Sequence, residues 1–298
     1  SCNEGAQRAI EDFGIELRSL EGTTAAEWEA NLVAACEEGY DLIIGASSNI
    51  ADYIVEHGPN YPDTKFAVID TTVDLPNVQS ISFAQNQGSF LAGAAAAMFT
   101  EKTDIEGVNE DAIIGWVGGM DIPVLHDFYT GYEQGAKYIN PDITILQAFA
   151  GNWSDPLRGK ELTLAQYEQG ADIVMNVASG TGAGVLEGAK EAGKYAIGVD
   201  LNQDADQPGS VLTSMVKRVD NACYLVIESV VNGTFEGGST RYLDLEAGGV
   251  SLTDFSVMRE ALGDKFPEDI VEKCNELAEQ IIAGEIVVEN YEGFGPEA

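Results

Sequence analysis

The stretch Gly170–Gly184, GADIVMNVASGTGAG, decides the architecture. Within it Ile173–Ala178 is a short run, apolar except for Asn176, that reads as a strand buried on both faces. Glycine and small polar residues follow at once, as at the carboxyl end of a strand in an α/β sheet. The same unit recurs on both sides. Apolar runs at Ile15–Leu20, Asp41–Gly45, Phe66–Ile69, Ile81–Phe83, Ala112–Val117, Ile143–Phe149 and Tyr195–Val199 read as further strands. Between them lie amphipathic segments: Ala6, Ile10 and Phe13 share one helical face, as do Trp28, Leu32 and Ala35, and, less tidily, Leu162, Ala165 and Ala171. Strands alternating with helices predict βαβ units, an α/β fold and parallel sheets.

The polar stretch Thr100–Asp111, TEKTDIEGVNED, interrupts this rhythm and marks a lobe boundary. Two Rossmann-like lobes are expected, one from residues 1–104 with 219–260, the other from 105–218 with 261–298. Beyond Arg218 the pattern gives a helix at Asp220–Val231 and short strands near Arg241–Leu245 and Val250–Leu252. A last helix spans Pro267–Ala283, with Pro267 at its first turn and Gly284 just past its end. Glu285–Glu289 is read as a final strand. The sequence opens at Ser1-Cys2-Asn3-Glu4 on a helix start, so the strand that normally begins such a lobe is expected upstream, or else the fold begins differently.

Composition narrows the function. The chain has 298 residues, with 50 Asp and Glu against 15 Lys and Arg, for a net charge of −35. Such a surface lacks the basic footprint that nucleic acid or acidic lipid requires. At 45% hydrophobic and 22% charged residues it can bury two cores. Its longest apolar stretch, Leu91–Phe99, is about half the roughly 20 residues of a spanning helix. No signal peptide is evident, as expected of a mature or trimmed chain. Cys2, Cys36, Cys223 and Cys274 form no CxxC pair, which argues against a zinc ribbon or dense disulfide framework and predicts four separate thiols.

Ligands of open α/β sheets sit beyond the carboxyl ends of the strands. Those ends carry Asn49, Asp70, the pair Gly118-Gly119 with Asp121, the loop around Trp153, Ser179 after Val177, and Asp200. A carboxylate such as Asp70 or Asp200 can accept bonds from two hydroxyls or an N–H pair. Trp153 offers a flat face to a ring. Lys217, after Ser214-Met215-Val216, is one of few lysines in the chain. Each of these residues alone fits a helix cap, a core ring or a solvated charge. The run Ser179–Gly184 is neither GxGxxG nor a P-loop, and an acidic rim favours a neutral or cationic ligand. Catalytic patterns are weak: His57 and His126 have no motif neighbours, and neither GxSxG nor HExxH occurs. Neither a metal nor a cofactor is expected. Acid pairs are so common that composition leaves a two-carboxylate glycosidase open.

Taken in order, the segments FAQNQGSFLAG (Phe83–Gly93), IGWVGGMD (Ile114–Asp121), FYTGYEQG (Phe128–Gly135), GNWSDPLRGKE (Gly151–Glu161), GADIVMNVASGTGAG, IGVDLNQ (Ile197–Gln203) and LTSMVKRVD (Leu212–Asp220) resemble the basic membrane protein family. These are solute-binding lipoproteins of ABC transporters and include purine nucleoside receptors. The resemblance covers nearly the whole chain. It implies a type I periplasmic-binding-protein fold, a hinge, one ligand between the lobes, an ABC permease as partner, an extracytoplasmic location and an N-terminal lipid tether. It implies ligand-binding roles for Asn49, Asp70, Trp153, Val177, Ser179, Asp200 and Lys217, with Asp200 on ribose hydroxyls. A purine nucleoside is the expected ligand, ahead of riboflavin-like rings or sugars. Two departures stand out: the opening strand with its DxxFN-like loop is absent, and Val177 replaces an aromatic found in some members. Competing expectations are a nucleoside or sugar hydrolase on the same fold and the effector-binding core of a sugar-responsive regulator. The latter normally carries a basic helix-turn-helix domain, which this sequence does not show.

Overall fold

The second helix shows how local signals start and stop an element. The computed structural model describes residues 2–22, 24–46 and 50–292. Helix α1 is Cys2–Phe13 and α2 is Ala25–Glu38. At the start of α2 the Glu27 N–H donates to Thr24 Oγ1, and the Thr24 N–H donates back to the Glu27 carboxylate. This reciprocal box satisfies donors that a helix start otherwise leaves open. Gly39, at φ 79°, ends the helix in the left-handed conformation that a Cβ disfavours.

The chain divides into two compact units, Ser1–Phe83 with Arg218–Leu243, and Ala84–Lys217 with Asp244–Ala298. It passes between them after Phe83, Lys217 and Leu243. The first unit holds a wholly parallel sheet of order β1-β2-β3-β9, from Leu42–Gly45, Lys65–Ile69, Val78–Phe83 and Ser239–Leu243. Leu32 of α2 and Ile54 of α3 (Ala51–His57) pack with Phe66, Val68 and Val78. Ala6 and Ala9 of α1 pack with Ile227 of α8 (Val219–Val231). These two helices touch closely, because a Cβ on Gly5 would lie 1.8 Å from the Asp220 carbonyl oxygen.

The second unit is built on a six-stranded sheet of order β10-β8-β7-β6-β4-β5. Its strands are β4 (Ile113–Gly118), β5 (Thr144–Phe149), β6 (Ile173–Val177), β7 (Tyr195–Asp200), β8 (Val211–Lys217) and β10 (Val250–Leu252). All pairs are parallel except β10 with β8, where Val250 opposes Lys217. Helices α4 (Gln85–Phe99), α5 (Pro123–Ile139), α6 (Pro156–Glu168), α7 (Gly182–Ala192), α9 (Ser256–Leu262) and α10 (Glu268–Ile282) complete it. Helix α4 belongs to this unit, so the chain's first passage falls before α4, whereas the sequence pattern suggests Thr100–Asp111. A Cβ on Gly93, Gly131 or Gly135 would lie within 2.0 Å of a carbonyl oxygen of the facing helix, so α4 and α5 meet almost backbone to backbone. The core gathers Ile114, Trp116, Ile173, Met175, Ile197 and Leu212. Trp116 lies edge-on to Tyr129 and Phe149, with centroids 5.5 and 5.4 Å away.

Three expectations are corrected. Ile15–Leu20 forms no strand; Leu17 and Leu20 are exposed, and no ladder takes up its backbone. Glu285–Glu289 forms no strand either and is held instead by side chains, as described below. The four cysteines are not four thiols. Cys2 and Cys223 form a disulfide joining α1 to α8, while Cys36 and Cys274 are free and buried.

Candidate ligand-binding site

Five of the seven residues singled out in the sequence stand on or just beyond the carboxyl ends of β5, β6, β7 and β8, along one edge of the six-stranded sheet. Trp153 lies in the loop after β5, Val177 ends β6 and Ser179 follows it, Asp200 ends β7, and Lys217 ends β8. Asp70 follows β2 in the first unit, its N–H donating to the Ile81 carbonyl at 2.9 Å. Asn49 lies outside the described residues. The side chain of Val177 is 5% exposed and packs into the core with Met175 and Ile197.

Backbone conformation marks three of these positions. Among the described residues only four that are not glycine have positive φ, and three of them are Asp70 (61°), Ser179 (51°) and Asp200 (64°). Each costs about 1–2 kcal/mol relative to ordinary backbone. At Asp200 the Leu201 N–H donates to the Val199 carbonyl at 2.7 Å. That closes a three-residue turn of the rarer hand and leaves the Asp200 side chain exposed at the strand end.

The Trp153 loop is fastened rather than loose. The Thr181 N–H donates to the Trp153 carbonyl at 2.9 Å, Thr181 Oγ1 donates to the Asn152 carbonyl at 2.8 Å, and the Asp155 N–H donates to Thr181 Oγ1 at 2.9 Å. The indole lies over Gly119, where a Cβ would come within 2.4 Å of the ring. Trp153 remains 38% exposed, so one part of its ring is buried by the loop and another faces out.

A polar network holds the strand ends behind this rim. Gln203 Oε1 accepts from the Val199 N–H and from Asn176 Nδ2, both at 2.9 Å. The Gln203 N–H donates to Ser214 Oγ at 3.0 Å, and Ser214 Oγ donates to Asp204 at 2.6 Å. Burial pushes the Asp204 carboxyl above its usual range, against the pull of Ser214 and Thr253. Lys217 is almost fully buried, with Nζ 5.5 Å from the centre of the Phe128 ring.

Asp121, named from the sequence at a strand end but given no ligand-binding role there, gains a partner in the structure, His126. Asp121 follows the Gly118-Gly119 turn of β4 and is 71% exposed. His126, in the first turns of α5, has Nε2 2.6 Å from Asp121 Oδ1. Asp121 was visible as the polar residue beyond a strand; its pairing with His126 becomes legible once Pro123 is seen to start the helix at that point. Elsewhere, His57 Nε2 lies 2.9 Å from Glu29 Oε1, and with Glu56 they form the one described group of His and carboxylates close enough to share a cation. It lies on partly exposed α2 and α3 positions in a chain full of acids, and nothing further points to an ion there.

Polar groups on strand ends, an outward-facing indole and a network that fixes them are the equipment of a binding protein. The chain has the type I periplasmic-binding-protein fold of solute-binding proteins. A solved ABC-transporter solute-binding protein from Aeropyrum pernix K1 superposes with a TM-score of 0.87 at 29% identity, over 97% of this chain and 88% of that one. Residues 1–292 match the family described as Bmp, ABC transporter substrate-binding protein PnrA-like, and the chain belongs to that family. It is similar to the ABC transporter nucleoside-binding protein BmpA of Lactococcus lactis, 32% identical over 85% of this chain and 77% of that protein. It is likewise similar to basic membrane protein D of Borreliella burgdorferi, 31% identical over 96% of this chain and 83% of that protein. The family description, the Aeropyrum structure and the Lactococcus relative are all named as binding proteins of ABC transporters. Among the described residues no helix is long and apolar enough to cross a membrane.

Proposed function

We propose that the chain binds one purine nucleoside between its two lobes and delivers it to an ABC permease, tethered outside the cytoplasm by an N-terminal lipid in the full-length protein. The observation that carries this reading is the coincidence of left-handed backbone with Asp70, Ser179 and Asp200, three of the residues the family resemblance assigns to the ligand. Backbone strain of this kind persists only where the surrounding fold holds it, and it clusters where particular groups must be aimed; the fourth such residue, Phe255, caps α9. Asp200 accepts ribose hydroxyls, Trp153 covers a ring, and Lys217 and Asp70 meet polar groups of the ligand. The nucleoside-binding relative supports a nucleoside over a riboflavin-like ring or a plain sugar. A neutral ligand also suits a chain of net charge −35 better than a nucleotide would. Ligand binding favours the closed over the open arrangement, and the permease reads the closed form.

The ligand leaves unchanged, so the protein is not an enzyme. Incubation with inosine or guanosine followed by chromatography should return intact nucleoside; free base in proportion to protein would turn the reading to a hydrolase. A thermal-shift screen should show stabilisation by a purine nucleoside above that by riboflavin or arabinose, because any ligand of the native state raises the melting temperature. A flat response to all of them would remove the proposal.

A further inference from the structure

Helix α5 carries three consecutive residues, His126, Asp127 and Phe128, that each hold a different part of the second unit. Phe128 lies against Lys217. Asp127 is fully buried and accepts from Gln85 Nε2 at 2.6 Å, from the Tyr291 N–H at 2.7 Å and from Asn290 Nδ2 at 3.3 Å. The segment leading to Tyr291 is fastened to α4 and α5 along its length. Asn86 Nδ2 donates to the Val288 carbonyl at 3.0 Å, Gln134 Nε2 donates to the Glu289 carbonyl at 2.9 Å, and the Glu289 N–H donates back to Gln134 Oε1 at 3.0 Å. So pinned, the segment brings the Tyr291 ring onto the His126 ring, stacked at 4.9 Å with 25° between the planes. Phe149, the last residue of β5, closes on His126 edge-on at 5.4 Å.

His126 is thus clamped between two rings, and its Nε2 points at a carboxylate that remains largely exposed on the ligand rim. An exposed Asp ordinarily samples several rotamers, and ordering it on binding costs affinity. We infer that His126 is a positioning residue: it fixes the Asp121 carboxylate toward a donor group of the solute, and the Val288–Tyr291 strap fixes His126 through Tyr291. The strap, far from the rim in sequence, therefore tunes affinity without touching the ligand. This inference rests on the ligand reading above for its binding readout, and has a second readout that does not.

The test uses the full chain, inosine as probe and three variants at His126 and Tyr291. His126→Phe keeps a ring under Tyr291 and loses the hydrogen bond. It should weaken inosine binding about tenfold while the melting temperature stays near that of the parent. His126→Gln restores a donor at similar reach and should recover binding to within about threefold. Tyr291→Ala should give an intermediate loss. The chain has two histidines, so imidazole nitrogen spectra resolve His126 with His57 as an internal reference. In ligand-free protein, Asp121→Asn and Tyr291→Ala should each move the His126 Nε2 signal and leave that of His57 in place. Parental affinity in His126→Phe, or a His126 signal indifferent to both substitutions, would overturn the inference. If the unaltered protein binds no nucleoside, the ligand reading fails, and the ring signal still decides whether Asp121 and Tyr291 hold His126.

Discussion

At the scale of single residues, left-handed backbone lets stability and binding be separated. Replacing Asp200, φ 64°, by glycine relieves about 1–2 kcal/mol of backbone strain and gives back about 0.4–1 kcal/mol through a freer unfolded chain. On backbone terms alone Asp200→Gly should therefore lie between neutral and about 1.6 kcal/mol more stable than the parent, as read by denaturant midpoint. Its nucleoside affinity should fall by at least about 1.5 kcal/mol with the charge-assisted bonds lost. A variant that loses stability and keeps affinity would assign Asp200 to the scaffold instead. Asp127 gives a pH prediction. Burial holds its carboxyl above the usual range, against the Tyr291 N–H, Asn290, Gln85 and Lys217. The native state then binds this proton more tightly than the unfolded chain does. The contribution to stability is full below about pH 4 and is lost as pH rises through the elevated native value. Asp127→Asn stays neutral throughout, and a turned Gln85 amide, whose Oε1 has no hydrogen-bond partner, can accept from the new amide. Its melting temperature should exceed that of the parent near pH 7 and approach it near pH 3.5; a lower value at pH 7 would contradict the sign.

At the scale of elements, what sequence could show depended on whether the signal was local. Strands such as β4, β6 and β7 were legible because a strand buried on both faces of a parallel sheet is apolar along most of its length. Ile15–Leu20 had the composition of a strand without a partner to satisfy its backbone, and so forms none. The Glu285–Glu289 segment also looked extended and apolar, but Val287 is 78% exposed and the chain is held by Asn86 and Gln134 side chains instead. Rim residues after each strand could be read by position; the stack of Tyr291 on His126 could not, since 165 residues separate them. The pairing of Cys2 with Cys223, 221 residues apart, was equally hidden. The disulfide ties α1 to α8 and closes about three quarters of the chain into one loop, for which about 2–5 kcal/mol of stabilisation is typical. Unfolded, unreduced protein should expose two titratable thiols, Cys36 and Cys274, and four after reduction. Cys223→Ser should lower the melting temperature to that of the reduced parent. Four thiols without reductant would show the bridge does not form.

At the scale of the whole molecule, the charge of −35 acts over distances that salt controls. The screening length falls from about 10 Å at 0.1 M to about 3 Å at 1 M ionic strength. Repulsion among the acids opposes the compact state, so the melting temperature should rise between those concentrations of potassium chloride. A falling value would mean that ion pairs such as Arg259 with Glu268 outweigh the repulsion. The same charge says little about fold; the parallel sheets were readable from apolar runs separated by helical segments, and the ligand was not. Ligand identity rests on a handful of side chains whose contacts the chain assembles at long range. The most direct test of the account is calorimetric titration of protein stripped of ligand by unfolding and refolding, with inosine and guanosine as titrants. The account predicts saturable heat with one nucleoside bound per chain, reduced by Asp200→Gly in a variant that remains folded. No heat from either nucleoside, with the parent protein folded by circular dichroism, would contradict it.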